Sequence, residues 1–167
     1  MSRQSTAQKV EDSSTTQQHS LNWRFEQVDV NSEDYGTQGF VYKKLFDAGV
    51  AAIKGSPVGE TQASGGGTVT PDQSDAGSAG ILGTGGGIAQ WAVAANTTLF
   101  GFVQYQGIGR VLMKTTGALA ANALGVWTGD DTVAAFTDPG NEELIFVRAL
   151  VAASGGDVAA GGYLLLG

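Results

Sequence analysis

The sequence predicts an all-β domain, a sandwich or small barrel, and three observations carry that expectation. Apolar and polar residues alternate with period two in several short segments, as in half-buried strands. Turn-forming clusters recur roughly every 8–12 residues through the C-terminal half, the spacing of sandwich and small-barrel strands. Gly39, Gly49 and Gly55 weaken the one stretch long enough for a helix. At 167 residues the chain is long enough to form one domain with a real core.

Residues 1–20 hold eight Ser/Thr and four Gln, and Val10 is their only sizeable apolar side chain after Met1. Such a segment buries too little surface to offset its ordering entropy, so a flexible N-terminal arm is expected, able to order on a partner. A single β domain follows over 21–167. "LNWRFEQVDV" places Leu21, Trp23 and Phe25 on one parity and Asn22, Arg24 and Glu26 on the other; Val28 and Val30 then switch parity. This predicts a strand with a bulge or break near Gln27. "TQGFVYKKLFDAGVAAIKG" (37–55) predicts strands with at most one short helical turn, because Phe40, Leu45 and Phe46 share no helical face.

Residues 59–90 contain ten glycines in 32 positions and predict a long Gly-rich loop insert, with Thr68–Thr70 as a short edge strand. A phosphate-cradling loop needs a Lys after its glycines, and this segment has none. The dinucleotide pattern fails too: Gly83 and Gly85 are followed by Ile88 where the third glycine belongs. "TTLFGFVQYQGIGRVLMK" (97–114) reads as a strand, a Gly107-x-Gly109 bend and a second strand ending at Met113. Four further strand-like runs follow, and "GGYLLLG" carries the end of the sequence into the sheet. "AAIKGSPV" (51–58), "ALAANALGVW" (118–127) and "VAAGGYLL" (158–165) echo one another, as if one corner were reused around a barrel.

Charged residues make up 15% of the chain against roughly 25% on average, and the formal net charge is −7. No Lys or Arg lies between Lys54 and Arg110. Nucleic-acid binding draws its affinity from basic side chains neutralising phosphates, so no nucleic-acid partner is expected. There is no cysteine, hence no disulfide, thiolate metal site or cysteine nucleophile. The first residues lack the apolar region of a secretory signal, and no apolar run approaches the roughly 20 residues that span a bilayer. A soluble chain made in a cytoplasm, with no membrane partner, is expected.

No residue set for catalysis, metal or cofactor binding emerges. His19 is the only histidine and falls in the polar arm, where no rigid shell would hold a base on its target. Glu33–Asp34, Asp130–Asp131 and Glu142–Glu143 sit in turn contexts, and adjacent acids on a strand point to opposite faces. Trp23, Trp91 and Trp127 lie in strand-like segments and are expected in the core or a subunit interface.

The stretch "GFVQYQGIGRVLMKTTGALAANALGVWTGD" (101–130) resembles the central segment of capsid decoration, or cement, proteins of tailed bacteriophages. Those sequences carry G-x-V-Q-x-x-G, a short strand, then an "AAG-D" corner. Gly101, Val103, Gln104 and Gly107 fill the first part, whereas the corner departs with Asn122 and Leu124 where Gly and Asp are usual. "DAGVAAIKGSPV" and "ALVAASGGDVAAGGYLLLG" are similar to that family's flanks in order and spacing. The resemblance covers about residues 40–58 and 92–167 and leaves out the 59–90 insert and the segment around Trp23.

It implies a non-enzymatic small barrel or β-tulip-like subunit, usually a homotrimer, on the capsid exterior of the virion. There it would clamp neighbouring copies of the major capsid protein. On this reading Asn22, Trp23, Arg24 and Phe25 are the expected shell contacts, and the Gly-rich loop is exposed or touches a neighbouring trimer. The alternative is a trimeric phage fibre, spike or host-adhesion module, although the extended repeats of long fibres are missing. Deletion of residues 1–20 is expected to weaken attachment to shells and leave the fold intact.

Overall fold

A computed structural model describes Val10 and residues 12–29, 36–46, 51–61, 67–71, 86–113, 120–128, 132–135, 145–150, 152 and 158–164. Among these there is no helix and there are ten strands. They are β1 (Arg24–Asp29), β2 (Gly36–Phe46), β3 (Pro57–Glu60), β4 (Thr68–Thr70), β5 (Gly87–Ala89), β6 (Thr98–Met113), β7 (Leu124–Thr128), β8 (Thr132–Ala135), β9 (Ile145–Ala149) and β10 (Val158–Leu164). The chain is all-β, as its alternation and turn spacing predict.

Five strands close into a small barrel: β2 pairs with β4, β4 with β3, β3 with β5, β5 with β6, and β6 returns to β2. A barrel this narrow has no lumen, so its interior must be filled by side chains. Val41 and Leu45 from β2, Val58 from β3, Val69 from β4, Ala89 from β5 and Val103 from β6 fill it, together with Trp91. A second ring of pairings runs β6–β10–β9–β7–β8 and meets β6 again at Met113↔Val133. The 16-residue strand β6 is therefore common to both rings: Thr98–Gln106 pairs with β2, and Gly107–Met113 pairs with β10.

The handover happens where the glycines of "QYQGIG" lie. Gly107 has φ 92°, and a Cβ there would run into the Thr37 carbonyl oxygen, so only glycine is accommodated. The strand bends at Gly107 without ending, which turns the expected strand–bend–strand into one strand. Buried Gln104 satisfies the backbone around the bend. Its amide Nε2 donates to Ile108 O (2.9 Å) and Gln106 O (3.3 Å), and its Oε1 accepts from Gln90 Nε2 (3.4 Å). A side chain at Gly109 would displace that amide. The motif behind the family resemblance thus builds the strand shared by the two rings.

Three expectations need correction. The β1–β2 register runs unbroken from Arg24↔Val41 to Asp29↔Gly36, so β1 has no bulge at Gln27; the irregularity lies between β2 and β6 at Gly39/Phe40. There the Tyr105 ring occupies the space of a Gly39 side chain. The expected 59–90 loop instead supplies barrel strands β4 and β5 and the end of β3, while residues 62–66 and 72–85 lie outside the described residues. Glycine permits this, because any side chain on Gly87 would collide with the Gln104 carbonyl where β5 meets β6. β4 is not an edge, since it pairs with both β2 and β3.

The third correction concerns the arm. Asp12–Ser20 lies along the barrel: Ser14 and Phe100 exchange backbone bonds (2.9 and 2.7 Å), and Gln18 N–H donates to the Tyr42 hydroxyl (2.9 Å). Polar composition concealed this because the segment is held by backbone bonds and by rings belonging to other strands. Residues 1–9 and Glu11 lie outside the described residues.

One corner, defined by its closing bond and an exchanged pair of backbone bonds, recurs three times among the described residues. Asn22 (φ 66°), Gly55 (φ 100°) and Asn122 (φ 67°) each occupy the third position of a turn closed by Trp23 N–H to Ser20 O, Ser56 N–H to Ile53 O and Ala123 N–H to Ala120 O. Each left-handed residue also donates its N–H to a neighbouring strand, at Tyr42, Ala89 and Ala149 respectively. Each of those residues donates back to the turn's last carbonyl. The echoes at 51–58 and 118–127 are two of these corners; the third is at Asn22, whereas 158–164 is strand β10 with no turn in it. Asn and Gly suit the position because they tolerate φ > 0.

Gly107→Ala is expected to lower unfolding stability by about 2–4 kcal/mol, combining left-handed strain with overpacking. Urea unfolding at unchanged slope measures it.

Candidate functional site

β2 and β6 present two faces, and each carries an unusual group. On the face away from the barrel interior, Phe40, Tyr42 and Phe102 form a second buried cluster, with Val10, Leu21, Phe25 and Phe100 packed on it. Period-two alternation puts Phe25 of β1, and Trp23 just before the strand, on this side. Trp23 stacks on Phe25 (centroids 5.5 Å), Phe25 stacks on Phe40 (5.3 Å), and Phe102 meets Phe25 (5.1 Å) and Tyr42 (5.1 Å) edge-on. The outermost member is Trp23, 45% exposed despite its size.

His19 belongs to this aromatic group. Its ring lies 4.8 Å from Trp23, 5.0 Å from Tyr42 and 5.6 Å from Phe102, and its Nε2 is buried with no hydrogen-bond partner. The expected solvated arm residue is thus part of a packed surface. The reason is the Gln18–Tyr42 bond, which brings the segment down over the rings.

On the other face, in phase with Val41 and Leu45, Lys43 is wholly buried. Its Nζ donates to Glu60 Oε1 (2.5 Å) on β3 and to Asn22 Oδ1 (2.7 Å) in the turn before β1. Gly67 N–H adds a bond to the same Glu60 oxygen (3.3 Å). An ammonium out of water is costly unless paired and hydrogen-bonded, and these partners supply that compensation.

The four expected contact residues therefore divide. Trp23 and Phe25 sit on the aromatic face. Arg24 points the other way, with its guanidinium 4.8 Å from the Tyr105 ring centroid. Asn22 lends its backbone to the corner and its amide oxygen to Lys43. Trp91 is buried in the barrel, its Nε1 unpartnered, and Trp127 lies in β7. The three acidic pairs lie outside the described residues. Sequence reasoning missed Tyr42, Phe102, Lys43 and Glu60. Tyr42 and Phe102 alternate correctly in their strands and were legible as one face, but the Lys43–Glu60 pairing has no local sequence signal.

Among the described residues there is no group of three or more His, Cys, Asp or Glu able to hold a metal ion, and no helix long and apolar enough to cross a membrane. Among the described strands β1 pairs with β2 alone, so the aromatic strip ends at a sheet edge. Comparison with protein-family models, curated proteins and solved structures finds no match.

Because residues 12–20 cover Tyr42 and Phe102, deletion of 1–20 is expected to destabilise the fold, not leave it intact. A loss of about 2 kcal/mol corresponds to a thermal midpoint lower by about 4–8 °C for a chain of this size. Differential scanning calorimetry checks it.

Proposed function

We propose that this chain is a structural capsid decoration protein of a tailed bacteriophage. It docks on the major capsid protein through the aromatic face of β1, as a homotrimer on the capsid exterior. The observation that carries the docking face is Trp23, a large exposed indole at a sheet edge, backed by Phe25 and His19 on buried Phe40, Tyr42 and Phe102. Interface hot spots are enriched in Trp, Tyr and Arg, and an indole already stacked on a rigid base loses little freedom on docking. An edge strand also offers backbone groups for pairing with an extended segment of the partner.

The corner at Asn122 supports the family reading. The family pattern has Gly there, and φ 67° is a conformation that Gly and Asn both adopt, so the departure keeps the backbone requirement. Contacts repeated over a shell act together, so each one need be only moderately strong. The trimer rests on the resemblance.

Titrating purified chain onto shells that lack it, read by co-sedimentation, tests the proposal. Saturable binding is expected, with Trp23→Ala weaker by about 10-fold or more, as for a hot-spot residue. Ile53→Ala, at an exposed turn residue away from the strip, is expected to bind normally. Equal affinity for Trp23→Ala and the unsubstituted chain would remove the docking face; absence of saturable binding would remove the whole reading.

A further inference from the structure

The Lys43 group has the composition and geometry of a reaction centre. A lysine amine is a nucleophile once it loses its proton, and a carboxylate within hydrogen-bond reach is the base that takes it. A primary amide is an electrophile that needs its oxygen polarised and its nitrogen protonated before it can leave. All three groups meet here. Lys43 Nζ is 2.5 Å from Glu60 Oε1 and 2.7 Å from Asn22 Oδ1, and Lys43 is 0% exposed.

We propose that Lys43 and Asn22 form an intramolecular isopeptide bond, with Glu60 as the proton shuttle. Glu60 takes a proton from the Lys43 ammonium along their hydrogen bond. The freed amine pair adds to Asn22 Cγ, and the carbonyl π pair moves onto Oδ1, which accepts a hydrogen bond from the protonated Glu60. Collapse re-forms the carbonyl and breaks Cγ–Nδ2. The departing nitrogen takes up the proton from the attacking nitrogen and the one held by Glu60, leaving as ammonium. The balance is one lysine ammonium plus one asparagine amide giving one secondary amide plus one ammonium, with Glu60 regenerated. No oxidant, reductant or co-reactant is required.

Several features around the three residues favour this step. Burial of Lys43 among barrel side chains keeps water from solvating the amine. The reaction removes the buried ammonium charge, and the Glu60 carboxylate left behind keeps its bond from Gly67 N–H and its 17% exposure to water. Gly67 N–H fixes the Glu60 carboxylate. Gly67 itself has φ 90°, and the position of a Cβ there lies 3.5 Å from Asn22 Nδ2, so its bare backbone packs beside the leaving group. Asn22 is exposed as a residue, which gives the ammonium a way out. The left-handed turn holds the electrophile in place before the reaction, so little ordering remains to be done. The bond would tie the turn before β1 to the middle of β2, closing a loop between residues 21 apart.

Intact mass of the denatured, unsubstituted full chain is the primary test, and it does not depend on any variant folding. The expected mass is that of the sequence less one ammonia. Trypsin is expected not to cut after Lys43, and residues 10–24 and 25–44 are expected as one branched peptide whose fragments place the link between Asn22 and Lys43. Glu60→Gln and Asn22→Gly, the latter keeping the left-handed corner, are expected at full sequence mass. Asn22→Asp is expected to lose water in place of ammonia. The full sequence mass in the folded, aged, unsubstituted chain would overturn the proposal and leave an ion pair. Persistence of the ammonia loss in Lys43→Met would also overturn it, assigning the loss to an asparagine succinimide.

Discussion

The fold depends on one strand serving two rings. β6 closes the barrel with its first half and carries β10 and β8 on its second, so its bend has to satisfy both. Two devices make that possible. Gly107 adopts a backbone conformation, and leaves a space, that a side chain would forbid. The Gln104 amide, buried beside it, donates to the Gln106 and Ile108 carbonyls on either side of the bend. Gln38 also donates to Ile108 O (2.9 Å), so the bend is held from β2 as well. Val103 and Phe102, flanking this arrangement, point to opposite faces and anchor the barrel interior and the aromatic cluster respectively.

Strand β2, held against β6, carries the two chemically distinctive groups on opposite sides. Tyr42 supports the exposed aromatic strip; Lys43, the next residue, is locked into the barrel with Glu60 and Asn22. Both groups act on the same short segment, residues 18–25. Gln18 and His19 bind the aromatic side, Asn22 binds the lysine side, and Asn22 N–H and Trp23 O bond the Tyr42 backbone between them. The segment that presents Trp23 is therefore positioned from two faces at once, which suits a docking surface that has to keep its shape.

The sequence displayed those parts of the structure whose physics is local. Alternation placed Trp23 and Phe25 together, the glycines of "QYQGIG" marked the bend, and the turn spacing gave the strands of the C-terminal half. Two of the three corners were visible as echoes because an Ala pair, Ala51–Ala52 or Ala120–Ala121, leads into them; no such pair leads into Asn22. The barrel strands within 59–90 were not legible, since β5 is selected by the close approach of Gly87 to Gln104, and glycine carries no strand alternation. Residues 12–20 were misjudged for a related reason: their composition is that of a free chain, and only Phe100, Tyr42 and Phe102, distant in sequence, hold them. Lys43 in "YKKLF" looks like a solvated charge, and nothing nearby announces that Glu60 and Asn22 converge on it.

The proposed role is that of a protein distributed over a shell. It is tested most directly by the number of copies of this chain per purified particle, counted against the major capsid protein by quantitative mass spectrometry. The account predicts a ratio of the same order as the shell subunits. A few copies per particle, as for a fibre or vertex component, or none at all, would contradict it.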